Sequence, residues 1–101
     1  MNRPFYSEYV KHMLRFYSRY PSKPQHFKSI ADELNWETCH SVLETHCDRD
    51  SADLFISIYG GFDSLSEEVK KASEKHRISQ HFIWDRMKEL EYRIANIRGL
   101  I

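Results

Sequence analysis

The chain has 101 residues, with 15 Lys/Arg against 15 Asp/Glu and therefore no formal net charge; 41% of it is apolar, and it holds only three Gly and three Pro. That composition excludes a disordered chain and supplies the core of one domain able to bury roughly two-thirds of its unfolded surface. It also excludes a membrane-spanning protein, because the longest apolar run, Leu54–Tyr59, is short and interrupted by Ser57.

The first predicted helix covers about Tyr6 to Ser18, ended by Pro21. Phe5, Tyr9, Met13, Phe16 and Tyr20 form one stripe at helical spacing, and Tyr6, Val10, Leu14 and Tyr17 form an adjacent one. Glu8, Lys11, His12, Arg15 and Arg19 lie outside this wide apolar face. Aromatics beside basic groups suit a base-stacking platform, but helical recurrence is what burial requires, and core is the reading favoured. The stretch from Tyr20 to Phe27 has two prolines and no pattern, so it reads as a loop. A second helix starts near Ser29 or Asn35 and runs to Cys47, carrying Leu34, Cys39, Val42, Leu43 and His46. Asp50 is the expected cap of a third helix that buries Leu54, Phe55, Ile58 and Tyr59 and stops at Gly60-Gly61.

Ser64 and Glu67 form a capping box for a fourth helix that buries Leu65, Val69 and Ala72. The pattern breaks at Ile78-Ser79, and Ser79 caps a fifth helix. In that helix Ile83, Met87, Leu90, Ile94 and Ile97 recur at steps of 4, 3, 4 and 3 before Gly99 closes it with a left-handed cap. No segment alternates with period two. The expected fold is all-α, with about five helices and a C-terminal helix-turn-helix whose last helix is long.

Residues 1–101 read as a single domain in three parts: a basic aromatic helix plus loop (1–28), an acidic helical middle (29–61) and the helix-turn-helix (62–101). The zero charge is an average: residues 1–28 carry a net +5, residues 29–68 a net −9 and residues 69–101 a net +4. Such segregation suits either mutual neutralisation or a basic nucleic-acid side opposite an acidic one.

Few motifs carry chemistry. Cys39-His40 and His46-Cys47 resemble metal ligands, but their same-face pairs stand seven residues, about 10 Å, apart on a helix. The same separation opposes a disulfide. No phosphate loop, HExxH or nucleophile elbow is present, so neither an enzyme, a metal nor another cofactor is expected. Two cysteines without secretory features, and an N-terminus lacking an apolar signal centre, give a cytoplasmic expectation.

A helix-turn-helix can place its second helix in the DNA major groove. Its exposed early positions would be Ser79, Gln80, His81, Trp84, Asp85 and Lys88, with Gln80 suited to adenine and Lys88 to phosphate or guanine. Lys70, Lys71, Lys75, Arg77, Arg86 and Arg93 would form a rim that positions the helix on phosphates, whereas Asp85 and Glu89 would repel them. The candidate DNA-binding set is Ser79, Gln80, His81, Trp84, Lys88, Lys75, Arg77 and Arg86.

The stretch from Asp48 through Leu90 resembles the region-four helix-turn-helix domain of bacterial sigma factors, and the small sigma-like regulators carried by phages and mobile elements of Firmicutes. The matching features are Asp48-Arg49-Asp50 before the apolar helix Leu54–Tyr59, the scaffold residues Val69, Ala72 and Ser73, the turn Ile78-Ser79, and the inward Ile83. The usual turn glycine is Arg77 here, and the apolar residue before it is His76. The resemblance covers somewhat under half of the chain and implies transcriptional regulation by promoter DNA binding, often with contact to RNA polymerase. The other reading of the same segment is a protein-interaction module that engages RNA polymerase or another regulator without reading DNA. A homodimer through the N-terminal aromatic helix is a further expectation.

Overall fold

The computed structural model describes residues 4–20 and 22–101. Among them are five helices and no strand: α1 (Ser7–Arg19), α2 (Ile30–Thr45), α3 (Arg49–Gly60), α4 (Leu65–His76) and α5 (Gln80–Arg98). The protein is all-α. Pro21, expected to end α1, lies outside the described residues.

Side-chain caps place the helix starts. Ser29 accepts a hydrogen bond from the Asp32 N–H at 3.1 Å, so α2 begins there and not at Asn35. Asp48, not Asp50, caps α3: its carboxylate accepts from the Ser51 N–H at 2.7 Å, and Asp50 falls inside the first turn. Ser64 accepts from the Glu67 N–H at 3.2 Å, but the reciprocal arm differs from the expected box. Glu68, not Glu67, reaches back, and its carboxylate accepts from the Asp63 N–H at 3.1 Å. Ser79 caps α5 by accepting from the Phe82 N–H at 3.0 Å.

Glycine ends α5 as expected. Gly99 sits at φ 84°, and the Leu100 N–H closes the cap on the Ala95 carbonyl at 2.8 Å. Gly60 and Gly61 do not end α3 through a left-handed turn, since Gly61 is extended at φ −68°. Gly60 allows α3 to pass close to α1, and Gly61 leaves room for the Glu68 side chain. A Cβ on Gly60 would meet Ser18 of α1 at 3.3 Å, and one on Gly61 would collide with the Glu68 carboxylate.

All five helices feed one core. Val10, Met13, Leu14 and Tyr17 of α1 join Trp36, Cys39, Val42 and Leu43 of α2, Phe55, Ile58 and Tyr59 of α3, Leu65, Val69 and Ala72 of α4, and Ile83, Met87, Leu90 and Ile94 of α5. α1 packs on α3, α2 and α5; α5 also packs on α2 and α4. The apolar face expected on α1 is narrower than drawn: Phe5, Tyr9 and Tyr20 are exposed, because a stripe wider than the contact leaves its margins in water. Leu34 is exposed on α2, while Trp36 is buried and donates its indole N–H to the Tyr20 carbonyl at 2.9 Å. Ile97 leaves the α5 stripe for solvent, since Leu100 folds back through the Gly99 cap and packs on the core instead.

One charge enters this core. The Glu91 carboxylate, 9% exposed, accepts the Ser7 hydroxyl at 2.8 Å and the Tyr59 hydroxyl at 2.7 Å, joining α5 to α1 and α3. Breaking such a contact strands a buried partner. Tyr59→Phe should cost about 1.5–3 kcal/mol in urea unfolding, and Glu91→Ala should cost more, because it also leaves two hydroxyls and a void. A change below about 0.5 kcal/mol for both variants would show that the network contributes nothing to stability.

Candidate nucleic-acid interface

The turn between α4 and α5 is Arg77-Ile78-Ser79. Arg77 adopts the left-handed conformation (φ 55°, ψ 46°) that glycine occupies at no steric cost, and it is the sole non-glycine residue with positive φ among the described ones. Ser73 holds the turn at both ends: its carbonyl accepts the N–H groups of Arg77 and Ile78, and its hydroxyl donates to the Ile78 carbonyl. Ile78 is half-buried and packs on the core. The turn glycine is thus absent from the sequence while its backbone geometry is present. The strain at Arg77 is about 1 kcal/mol.

With Ile83, Met87, Leu90 and Ile94 turned inward, His81, Asp85 and Tyr92 lie on the outermost line of α5. Gln80, His81 and Lys88 are exposed, so α1 does not cover the early face of the helix. His81 and Asp85 face each other at 3.4 Å one turn apart. Trp84 is half-buried between α1 and the start of α4, and it borders an open cleft of about 580 Å³ whose rim includes His81, Asp85 and Lys88. The Ser79 hydroxyl accepts the Phe82 N–H as the helix cap, which uses one of its two lone pairs inside the protein.

The remaining candidates do not all converge on this face. Arg86 lies roughly 160° round the helix from Lys88. It pairs with Glu89 at 3.0 Å, covers the Phe82 ring at 5.4 Å, and borders a smaller cleft of about 150 Å³ with His46, Cys47, Ser51 and Arg93. Lys75 and Arg77 are exposed at the α4 end, beside the tip of α5, and Lys70 is exposed on α4. Lys71 is drawn to Asp63 and Glu68, and Arg93 approaches His46 at 3.4 Å. The gathered set is therefore Gln80, His81, Trp84 and Lys88, with Lys75 and Arg77 at its edge.

Lys11, His12 and Arg15 of α1, which share a groove with Ser66 and Trp84, were outside the candidate set. Their membership in the polar stripe of α1 is legible in sequence, whereas their position beside α5 depends on tertiary packing.

No group of three or more His, Cys, Asp or Glu among the described residues is placed to hold a metal ion. Cys39 and Cys47 are free thiols. Burial pushes Cys39 up to about 12, so its thiolate is inaccessible at neutral pH; burial, then Asp48, raises Cys47. Asp48 is lowered by its hydrogen bonds from Ser51, with Arg86 adding to the effect. No helix among the described residues is long and apolar enough to cross a membrane. Comparison with known protein families, with characterised proteins and with solved structures gave no match.

Two measurements follow from these environments. The unfolded Cys39 thiol ionises near its ordinary value of 9.0 while the folded one stays protonated to about 12. Stability is therefore fully present below pH 9 and falls as pH rises through that interval. In urea unfolding across that range, Cys39→Ala should flatten the decline, with the remaining slope shared by Cys47, Tyr6 and Tyr17, which burial also raises. At the turn, Arg77→Gly should be neutral or stabilising by up to about 1 kcal/mol, and Arg77→Val should destabilise by about 1–2 kcal/mol, since branching at Cβ opposes positive φ. Equal midpoints for Arg77→Gly and Arg77→Val would disprove the strain.

Proposed function

We propose that the chain is a helix-turn-helix DNA-binding transcriptional regulator of the sigma region-four kind, which seats the first turns of α5 in the major groove of duplex DNA. The observation that carries this reading is the left-handed three-residue turn at Arg77, which projects α5 with Gln80, His81 and Lys88 exposed beside Lys75 and Arg77. In this arrangement Gln80 and His81 face base edges, Lys88 reaches a base or phosphate, and Lys75 and Arg77 position the helix on the backbone. Asp85 faces His81 at 3.4 Å one turn away and lies at the outer edge of this face. The proposed protein uses no cofactor and performs no catalysis. Within a cell, the reading places it in the cytoplasm with the transcription machinery.

A second reading has its own support. The outward side of α2 presents Ile30 (78% exposed) and Leu34 (47% exposed) next to Glu33 and Glu37, an apolar and acidic surface suited to a protein partner such as RNA polymerase or another regulator. The two readings separate by fluorescence anisotropy on duplex DNA over a salt series. For a DNA reader, log K falls linearly with log salt at a slope of about −0.9 per phosphate contact. Gln80→Ala with Lys88→Ala should weaken binding, and Lys75→Ala should make the slope shallower by about 1. No binding at the lowest salt rejects the DNA reading and leaves the interaction module.

A further inference from the structure

Phe62, in the loop between α3 and α4, is 93% exposed. The loop around it is nevertheless firmly held. Arg15 donates to the carbonyls of Tyr59 (3.1 Å), Gly61 (3.0 Å) and Asp63 (3.4 Å), and Arg19 donates to Gly61 (3.1 Å). The Arg19 guanidinium lies over the Phe62 ring, 5.5 Å from its centroid, and the Asp63 N–H is bound by Glu68. A large ring fixed in water, on a loop anchored to a helix, gains free energy by being covered, and aromatic residues and arginine are enriched at protein interfaces.

A receptor for such a ring is present on the same side of the protein. Tyr6, Trp84 and Met87 line the open cleft of about 580 Å³ at the start of α1, ample for a phenyl ring. Trp84 and Ser66 also line the groove that runs along α1 past Glu8 and His12 to Arg15, the residue that holds the Phe62 loop. Ring, groove and cleft thus follow one another along α1. The outward stripe of that helix, Glu8, His12, Arg15 and Arg19, is acidic at its start and basic at its end, with about 16 Å between Glu8 and Arg19.

We propose that this side of the protein is a two-fold interface with a second copy of the chain. The two α1 helices run antiparallel, each Phe62 enters the partner's cleft, and each Glu8 meets the partner's Arg19. Antiparallel pairing is selected by charge: it sets acid against base at both ends, whereas parallel pairing sets like against like. Glu8 already meets Lys11 of its own helix at 2.8 Å, so the partner's arginine joins an existing pair. Because ring and receptor lie on one surface, the exchange is reciprocal and closes as a dimer instead of propagating as a fibre.

The test is sedimentation velocity of the full chain over a concentration series. Wild type should form a dimer. Phe62→Ser should raise the dissociation constant about tenfold or more, with the melting curve unchanged only at concentrations where both proteins are monomeric, since the ring is 93% exposed within its own chain. Glu8→Arg and Arg19→Glu should each weaken the dimer, and the two together should restore it. A wild-type monomer at every concentration, open-ended growth in mass, a dimer indifferent to Phe62→Ser, or a charge exchange without rescue would each overturn the interface.

Discussion

The Glu91 carboxylate is the contact on which the presentation of α5 depends. A carboxylate removed from water is tolerated only when its lone pairs are satisfied, and here hydroxyls from two other helices do so. Ser7 lies at the first residue of α1 and Tyr59 near the end of α3, so one side chain fixes α5 against both. Glu91 and Trp84 are seven residues apart and share a flank of the helix. With Glu91 held inward, Trp84 on the same flank lies toward α1. Burial of the narrow stripe Ile83, Met87, Leu90 and Ile94 sets the roll of α5 and leaves His81 and Asp85 outermost. The polar contact adds a directional bond that locks that roll against α1 and α3.

A second set of polar contacts organises the opposite end of α1. The last carbonyls of a helix have no intrahelical donor and carry partial negative charge. Arg15 and Arg19 supply donors to Tyr59, Gly61 and Asp63 just where α3 ends without a left-handed cap. Two cations that appear in the sequence as part of a basic segment are thereby engaged by backbone carbonyls. Lys23, in contrast, meets Glu37 of the acidic middle, and Lys71 meets Asp63. The opposed charges of the sequence are thus partly neutralised within the fold, while Lys70, Lys75 and Arg77 remain exposed.

The helices were legible in the sequence because their starts are local events. Ser29, Ser64 and Ser79 cap helices through bonds to residues three positions on, and the period of the apolar residues follows directly. Asp48 and Asp50 both have cap chemistry, and only the backbone conformation at Asp48, extended at ψ 168°, decides between them. What was not legible depends on partners distant in sequence. Phe5, Tyr9 and Tyr20 sit on a valid helical stripe but at its margin, where the rings stay largely in water although the Tyr9 hydroxyl accepts from Asn35 of α2; Trp36 is buried because Tyr17 and Phe27 close over it; Glu91 looks like one more surface acid until Ser7 and Tyr59 are placed. The exposed face of α5 was readable from its period, and the separation of Arg86 from Lys88 follows from the same arithmetic. The adjacency of Lys11, His12 and Trp84 does not.

The turn at Arg77 holds a left-handed backbone without the glycine that would adopt it at no steric cost. Glycine relieves the steric cost of positive φ, but about 1 kcal/mol is small against the bonds that define the turn. Ser73 provides three of them, two through its carbonyl and one through its hydroxyl, and Ile78 adds burial. An arginine there also places a permanent cation at the edge of the face that α5 presents, which glycine cannot do. The two proposals made for this protein meet at Trp84, which borders both the exposed tip of α5 and the groove assigned to a second copy. Occupants that compete for one flank are coupled by linkage: whatever free energy a second copy removes from DNA binding, DNA removes equally from self-association. Residues outside the shared flank, Arg77 among them, should contribute to DNA affinity without entering that coupling, whereas Trp84 and Lys88 enter both.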